Sequence, residues 1–237
     1  MDRYTYYCIF FYSFLLICMS LVETIISTHT YVGTTTKNAH PKTKKYWLSA
    51  NYRGNIIINP EIIAQQLESA RTIVKTTIDA NKQILVICEK ALYADELGLL
   101  SQSKWFHYFD FNTPAWVLTN FDTLLHRINS MNQLKKFVLT EEFKMLTKKE
   151  QLVKKRELAK IQRIYKWVEN LKKIPDMIVI VDAQALSKFV LEVIKLNKTS
   201  IILANTDFNK HRSQDGLIMM NVNNHKSIDI VFNYLFS

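Results

Sequence analysis

Two runs, Ile84 to Cys88 and Met177 to Val181, constrain this chain most: each is apolar throughout, of strand length and free of polar alternation. Such a strand is buried on both faces, the condition of a strand inside a parallel sheet covered by helices. The surrounding pattern agrees. Asn55 to Ile58 is a short apolar strand, and Pro60 fits the first turn of a helix on which Ile62, Ile63, Leu67, Ala70, Ile73, Val74 and Ile78 recur at helical spacing. A helix over Ala91 to Gln102, a strand over His107 to Phe111 and a turn at Pro114 follow. After Val181 come a helix over Ala185 to Leu196, strands over Ser200 to Ala204 and Leu217 to Val222, and a last helix over Lys226 to Phe236. Strands separated by helices predict an α/β fold with a Rossmann-like parallel sheet flanked by helices.

Between the two runs lies a long charged insertion. From Met131 to Lys173 there are thirteen Lys and Arg against five Asp and Glu, so most of the chain's net charge of +10 sits on one stretch. Leu118, Phe121, Leu125 and Ile128 step by three and four, and after a polar turn near Phe137 to Thr147 a second helix is expected from Lys148 to about Lys172. On it Leu158, Ile161, Tyr165 and Val168 repeat the spacing, so two antiparallel helices can share one apolar seam and keep their lysines outside. A helix of that length reaches roughly 37 Å. Charge gathered on a projecting element is the footprint expected for a phosphate backbone, and the competing reading is a solvated helical face. At 237 residues the chain reads as an apolar segment over 1–30 and one domain over 31–237, with the helical-hairpin (coiled-coil) arm at about 118–173.

The segment from Gly33 to Asn55 is the second basic stretch, with Lys37, Lys42, Lys44, Lys45 and Arg53 interleaved with Tyr46, Trp47 and Tyr52. Cations that neutralise phosphates beside aromatic faces that stack on unpaired bases suit an RNA-contacting loop. Equally, the aromatics can cover the domain edge while the lysines are solvated.

The remaining composition narrows the alternatives. Cys8 and Cys18 fall in the apolar N-terminal segment and Cys88 closes a buried strand, so neither a disulfide framework nor a zinc-ligand spacing exists. Glycine and proline are scarce, four of each, and Lys, Asn and Ile are abundant, as in AT-rich genomes. The apolar run from Cys8 to Val22 is shorter than the ~20 residues of a spanning helix and reads either as a leader or as a helix packed on the protein.

Eight pieces, in order, resemble the bacterial-type small-subunit ribosomal protein S2 family from about Tyr31 onward. They are Val32-Gly33; Pro41-Lys42 with Lys44 and Tyr46; Arg53-Gly54 leading into Ile56 to Asn59; Leu118-Thr119-Asn120-Phe121; Leu146-Thr147-Lys148-Lys149-Glu150; Pro175-Asp176 before Val181-Asp182; Asn205-Thr206-Asp207; and Asn223-Asn224 before Ser227-Ile228. The resemblance implies a Rossmann-like sheet with a helical arm, and partners that are small-subunit rRNA and neighbouring ribosomal proteins. It implies no cofactor, small-molecule substrate or stable membrane insertion. RNA contacts are expected from Lys37, His40, Lys42, Lys44, Lys45 and Arg53, and on the arm from Lys148, Lys149, Lys154, Lys155 and Arg156. The chain departs from the family in carrying Asn112 to Val117 where a glycine pair usually precedes the Leu-Thr-Asn piece. It has Thr34 in place of a histidine, and one extra residue between Tyr46 and Arg53. These losses fit an organellar copy, with the mitochondrion first and a plastid-type organelle second.

Two other classes compete. A nucleotide-binding enzyme would use the strand ends near Asp182, Asn205 and Asp207. However, Gly33, Gly54, Gly98 and Gly216 are the only glycines and build no phosphate loop, and the two aspartates read better as turn or cap residues. The six histidines are scattered, without ligand or nucleophile spacing. A membrane-tethered interaction protein would explain the run from Cys8 to Val22 but not the basic arm.

Overall fold

The computed structural model describes residues 21–50, 53–104, 106–114, 116–209 and 216–237. Most of the N-terminal apolar run, and Tyr52, lie outside these residues. The fold is α/β and Rossmann-like, with a five-stranded sheet in the order β5-β4-β6-β7-β8 made by Ile84–Ile87 (β4), His107–Phe109 (β5), Met177–Val181 (β6), Thr199–Ala204 (β7) and Leu217–Met219 (β8). The β4 pairings to β5 and β6, and that of β7 to β8, are parallel. Every residue of β4 and β6 is buried, as continuous apolar runs require.

The chain divides into two compact units. The first holds the described part of Met1–Thr76 with Asp182–Ala185 and Ile201–Ser237. It begins with a helix described over residues 21–27 (α1) and contains a second sheet that the sequence reading did not anticipate. Val32–Thr35 (β1), Trp47–Ala50 (β2) and Asn55–Ile58 (β3) form an antiparallel sheet in the order β1-β3-β2. Thus Asn55–Ile58, expected among the strands of the parallel alternation, pairs instead with two short strands in the stretch read as a loop. Those strands are four residues each and break register at bulges, so they carry too little alternation to show in the sequence. Pro60–Asp79 (α2) follows, its first turn fixed by Asn59, whose Oδ1 accepts from the Glu61 amide at 3.0 Å. Ile63, Leu67, Ala70 and Val74 give it one buried face. His225–Leu235 (α8) closes the unit, capped by Asn224, whose Oδ1 accepts from Lys226 N and whose Nδ2 donates to Thr28 O at 2.8 Å.

The second unit holds Thr77–Val181 and Leu186–Ser200. It contains β4, Ala94–Lys104 (α3), β5, then Phe121–Phe137 (α4), Glu141–Met145 (α5) and Lys148–Tyr165 (α6), followed by β6 and Ser187–Lys195 (α7). α4 and α6 pack on each other as the expected hairpin. Three details differ. α4 buries Leu124 beside Phe121, Ile128 and Met131 and leaves Leu125 half-buried at the margin of that face. The expected polar turn contains α5, which plants Phe143 edge-on to Phe137 with ring centroids 5.9 Å apart. α6 ends at Tyr165 and passes into a 3-10 turn at Lys166–Val168. Its 18 residues therefore extend about 27 Å and not roughly 37 Å.

Candidate nucleic-acid interface

The first basic surface is built around Thr206, a buried residue at the end of β7. Its Oγ1 accepts from the Thr34 amide at 2.9 Å and lies 2.7 Å from Thr34 Oγ1. Its carbonyl accepts from the His40 amide at 2.8 Å and from Thr43 Oγ1 at 3.0 Å. Asn205 Oδ1 in turn accepts from the Thr206 amide. One threonine thus ties down both ends of the segment from Thr34 to Thr43, and buried polar groups are satisfied in doing so.

Gly33 completes the contact. A Cβ there would sit 2.9 Å from Thr206 Cγ2 and Oγ1 and 3.2 Å from Ile56 Cβ, so only a residue without a side chain lets β1 approach. Thr34, where the family has histidine, is therefore a hydrogen-bonding partner of the same hub. The 3-10 helix Pro41–Tyr46 springs from this anchor, with His40 Nδ1 accepting from the Lys42 amide. Lys37, Lys42, Lys44, Lys45 and Arg53 are exposed around it, and His40 is half-buried. For Tyr46 the structure decides between stacking platform and core cover: it is buried, with Lys45 Nζ 4.9 Å from its ring centroid. Trp47 donates its indole N–H to Thr43 Oγ1. Gly54, at φ +75°, turns the chain into β3.

The second basic surface is the arm. Thr147 and Glu150 form a capping box at the start of α6: Thr147 Oγ1 accepts from the Glu150 amide, and Glu150 Oε2 accepts from the Thr147 amide at 3.0 Å. Hydrogen bonds from the Thr147 side chain and then its amide hold the Glu150 carboxyl below its ordinary pKa. This is the physical content of the Leu146-to-Glu150 piece, and the spacing Thr-x-x-Glu was legible in the sequence although it went unused. Gln151 Nε2 donates to Leu146 O, tying the cap to α5.

No residue of α6 is buried. Leu158, Ile161 and Tyr165 are half-buried along the seam, while Lys148, Lys149, Lys155 and Arg156 are exposed. Lys154 pairs with Glu157 at 3.1 Å, and Lys155 Nζ lies 5.8 Å from the Phe143 ring centroid. The two groups of candidate residues fall in different units, the loop group in the first and the arm group in the second.

The arm's root depends on Glu192, which sequence reading missed. It is buried on α7 among Phe189, Val190 and Val193. Its carboxylate accepts from the amide of Leu118 at 3.1 Å and also from those of Thr119 and Trp116. Burial pushes its pKa up, and these amides and Lys195 oppose that shift. A carboxylate on an apolar helix face was the available signal. It explains the Leu-Thr-Asn piece as a turn whose amides converge on one acceptor. In the segment lacking the family's glycines, Asn112 and Trp116 take positive φ, +46° and +62°, and Lys195 Nζ lies 5.5 Å from the Trp116 ring centroid.

Two of the strand-end residues of the enzyme alternative, Asp182 and Asn205, serve local structure. Asp182, at φ +68°, accepts through Oδ1 from the Ala185 amide, and Asn205 is committed to Thr206. Among the described residues no cluster of three His, Cys, Asp or Glu could hold a metal, and no helix is long and apolar enough to cross a membrane.

Comparison with known proteins places this geometry. The family described as Ribosomal protein S2 matches residues 25–237. Similar relatives named small ribosomal subunit protein uS2 include one from Petrotoga mobilis, 28% identical over 174 residues, 69% of this chain and 57% of the relative. Another, from Karelsulcia muelleri, is 24% identical over 214 residues, 90% of this chain and 96% of the relative. A third, from Helicobacter acinonychis, is 26% identical over 180 residues, 76% of this chain and 72% of the relative. The chain therefore spans a little over half the length of the first of these relatives and nearly all of the second. Matched over nearly all of its described residues, the chain belongs to the ribosomal protein S2 family, whose members are structural, non-enzymatic proteins of the small ribosomal subunit.

Proposed function

We propose that the chain binds small-subunit rRNA through two basic surfaces and helps hold the small ribosomal subunit of an organelle together, the mitochondrion in the first instance. The observation that carries this reading is α6, a helix of 18 residues that buries none of them and exposes Lys148, Lys149, Lys155 and Arg156. A helix kept for core packing would bury a face, whereas one that presents cations on a capped, protruding hairpin is suited to phosphates. The loop cations Lys37, Lys42, Lys44, Lys45 and Arg53, with His40, form the second set, and neighbouring small-subunit proteins are the expected protein partners. The arm over about 118–173 is one of the two RNA-binding elements of the domain over 31–237.

The organellar assignment rests on composition and on the departures at Thr34 and Asn112 to Val117. Cosedimentation with the small subunit of purified mitochondrial ribosomes tests it. Recovery with plastid-type ribosomes would transfer the protein to that organelle, and recovery free in the matrix at low salt would end the ribosomal assignment. RNA binding is tested by titrating small-subunit rRNA with the protein and with a variant carrying Ala at Lys148, Lys149, Lys154, Lys155 and Arg156. Each lost phosphate contact lowers the slope of log K against log salt by roughly 0.7–0.9. An unchanged slope and affinity would return the arm to a solvated face.

A further inference from the structure

Within the second unit lies an open cleft of about 1140 Å³ that uses none of the cations assigned above. It sits where β4 and β5 begin, at Ile84 and His107, and is walled by the end of α6 and the 3-10 turn after it. That is the opposite edge from the strand C-terminal ends where doubly wound sheets usually hold ligands.

Its lining has a particular chemistry. Four carboxamides, Asn81, Gln83, Gln162 and Asn170, line the cleft together with Trp167. Carboxamides present a donor and an acceptor side by side in one plane, matching the edge of a nucleobase. The indole supplies a face: it stacks on Tyr108 at 4.9 Å and 22°, and Lys166 Nζ lies over the ring at 4.2 Å. Lys166 is exposed, so a base can take its place on the ring while the ammonium turns to a phosphate. Lys135 is already paired with Glu169, which leaves Lys82 and Lys166 as the cleft's cations.

The turn that presents Trp167 is fixed, because His107 hydrogen-bonds its backbone; burial holds the imidazole below its ordinary pKa and so neutral. Gln83 is held by its backbone to Asp176, while its buried Oε1 accepts no hydrogen bond among the described residues. A polyphosphate fits poorly. Ile78, in the last turn of α2, and Asn81 just after it line the cleft, where a helix end offers carbonyls and not amides, and no glycine is among the lining residues to form a phosphate loop. A single phosphodiester carries one charge, needs no cradle of amides, and has Lys166 and Lys82 to pair with.

The geometry points to a binding site for an unpaired nucleotide of RNA, its base on Trp167 with its edge against the carboxamides, and its phosphodiester held by Lys166 and Lys82. This rests on the RNA-binding reading above and gives it a contact that reads bases as well as phosphates.

The test uses the full chain with a single-stranded RNA of about eight nucleotides, a duplex of the same length, and small-subunit rRNA. Ultraviolet crosslinking of the single strand should label the peptide that contains Trp167. Trp167→Leu should weaken single-strand binding about tenfold, and Gln162→Ala with Asn170→Ala, which truncates one half-buried and one exposed side chain, about fivefold, with duplex binding changed less than twofold. Single-strand affinity within twofold of the parent in the double-amide variant overturns the site, even if Trp167→Leu fails to fold. Equally tight binding of AMP or UMP alone would also overturn it, by making the cleft a metabolite pocket. If rRNA binding stays tight and salt-dependent while the cleft variants are silent, only this inference fails. Loss of rRNA binding by the parent protein ends both.

Discussion

The loop and the arm carry the same chemistry on different supports. The loop's cations stand on a segment fastened at Thr34, His40 and Thr43 to one buried threonine. Those of the arm stand on a helix with no buried residue, started by a capping box, and its hairpin partner α4 is entered through a turn held to Glu192. The loop's position is set by buried hydrogen bonds, so single substitutions there should register in global stability. The arm's position is set at its root and its cap, so its surface should tolerate substitution and report mainly in binding.

The sharpest way to break this contrast is at the arm's root. Glu192→Ala removes the acceptor of the buried Leu118 amide and is expected to cost about 1–3 kcal/mol in urea unfolding, because that donor is left unmatched. Glu192→Gln separates charge from shape. The folded carboxyl holds its proton more tightly than the unfolded one, so its contribution is fully present below the unfolded pKa and is lost as pH rises through the raised folded value. The stability advantage of the parent over the Gln variant should therefore shrink as pH rises above the ordinary carboxyl pKa. A difference that grows with pH would show that the amides outweigh burial.

Gly33→Ala probes the loop's anchor. The new Cβ would meet Thr206 and Ile56 at 2.9 and 3.2 Å, and overpacking of that kind costs about 1–3 kcal/mol. The variant should also lose affinity for rRNA although no cation has changed. A variant that is destabilised but binds normally would show that the loop's register does not matter to RNA.

The same division explains what the sequence disclosed. β4 and β6 announced a buried parallel sheet, and the basic insertion announced a helical hairpin, because an unbroken apolar run and a helical period are both local signals. β1 and β2 stayed hidden, since two bulged strands of four residues have no period to read. Thr206 and Glu192 stayed hidden for another reason: their partners lie 172 and 74 residues away, and only the fold brings them together. The candidate cations were legible as exposed lysines, whereas what holds them in place was not.

The arm's cap should give a smaller and local effect. Thr147→Ala breaks the capping box and is expected to cost about 1 kcal/mol, read as faster amide exchange in the first turn of α6 with little change in the global midpoint. A full shift of the global transition would mean that the arm unfolds with the sheet and not before it.

The smallest effect belongs to the arm's surface. Lys154 and Glu157 are 42% and 46% exposed, and an exposed pair of this kind contributes no more than about 0.5 kcal/mol at helical spacing. Lys154→Gln should therefore leave the unfolding midpoint almost unmoved, and freeing Glu157 from its partner should add a negative charge to the face meant for phosphates. If the arm works by phosphate contact, the variant loses rRNA affinity by more than its stability changes, and the loss fades as salt rises. Equal losses in stability and affinity would instead make the pair a strut of the helix, and the distinction between a fixed loop and a freely presented arm would fail at the point where it predicts the least.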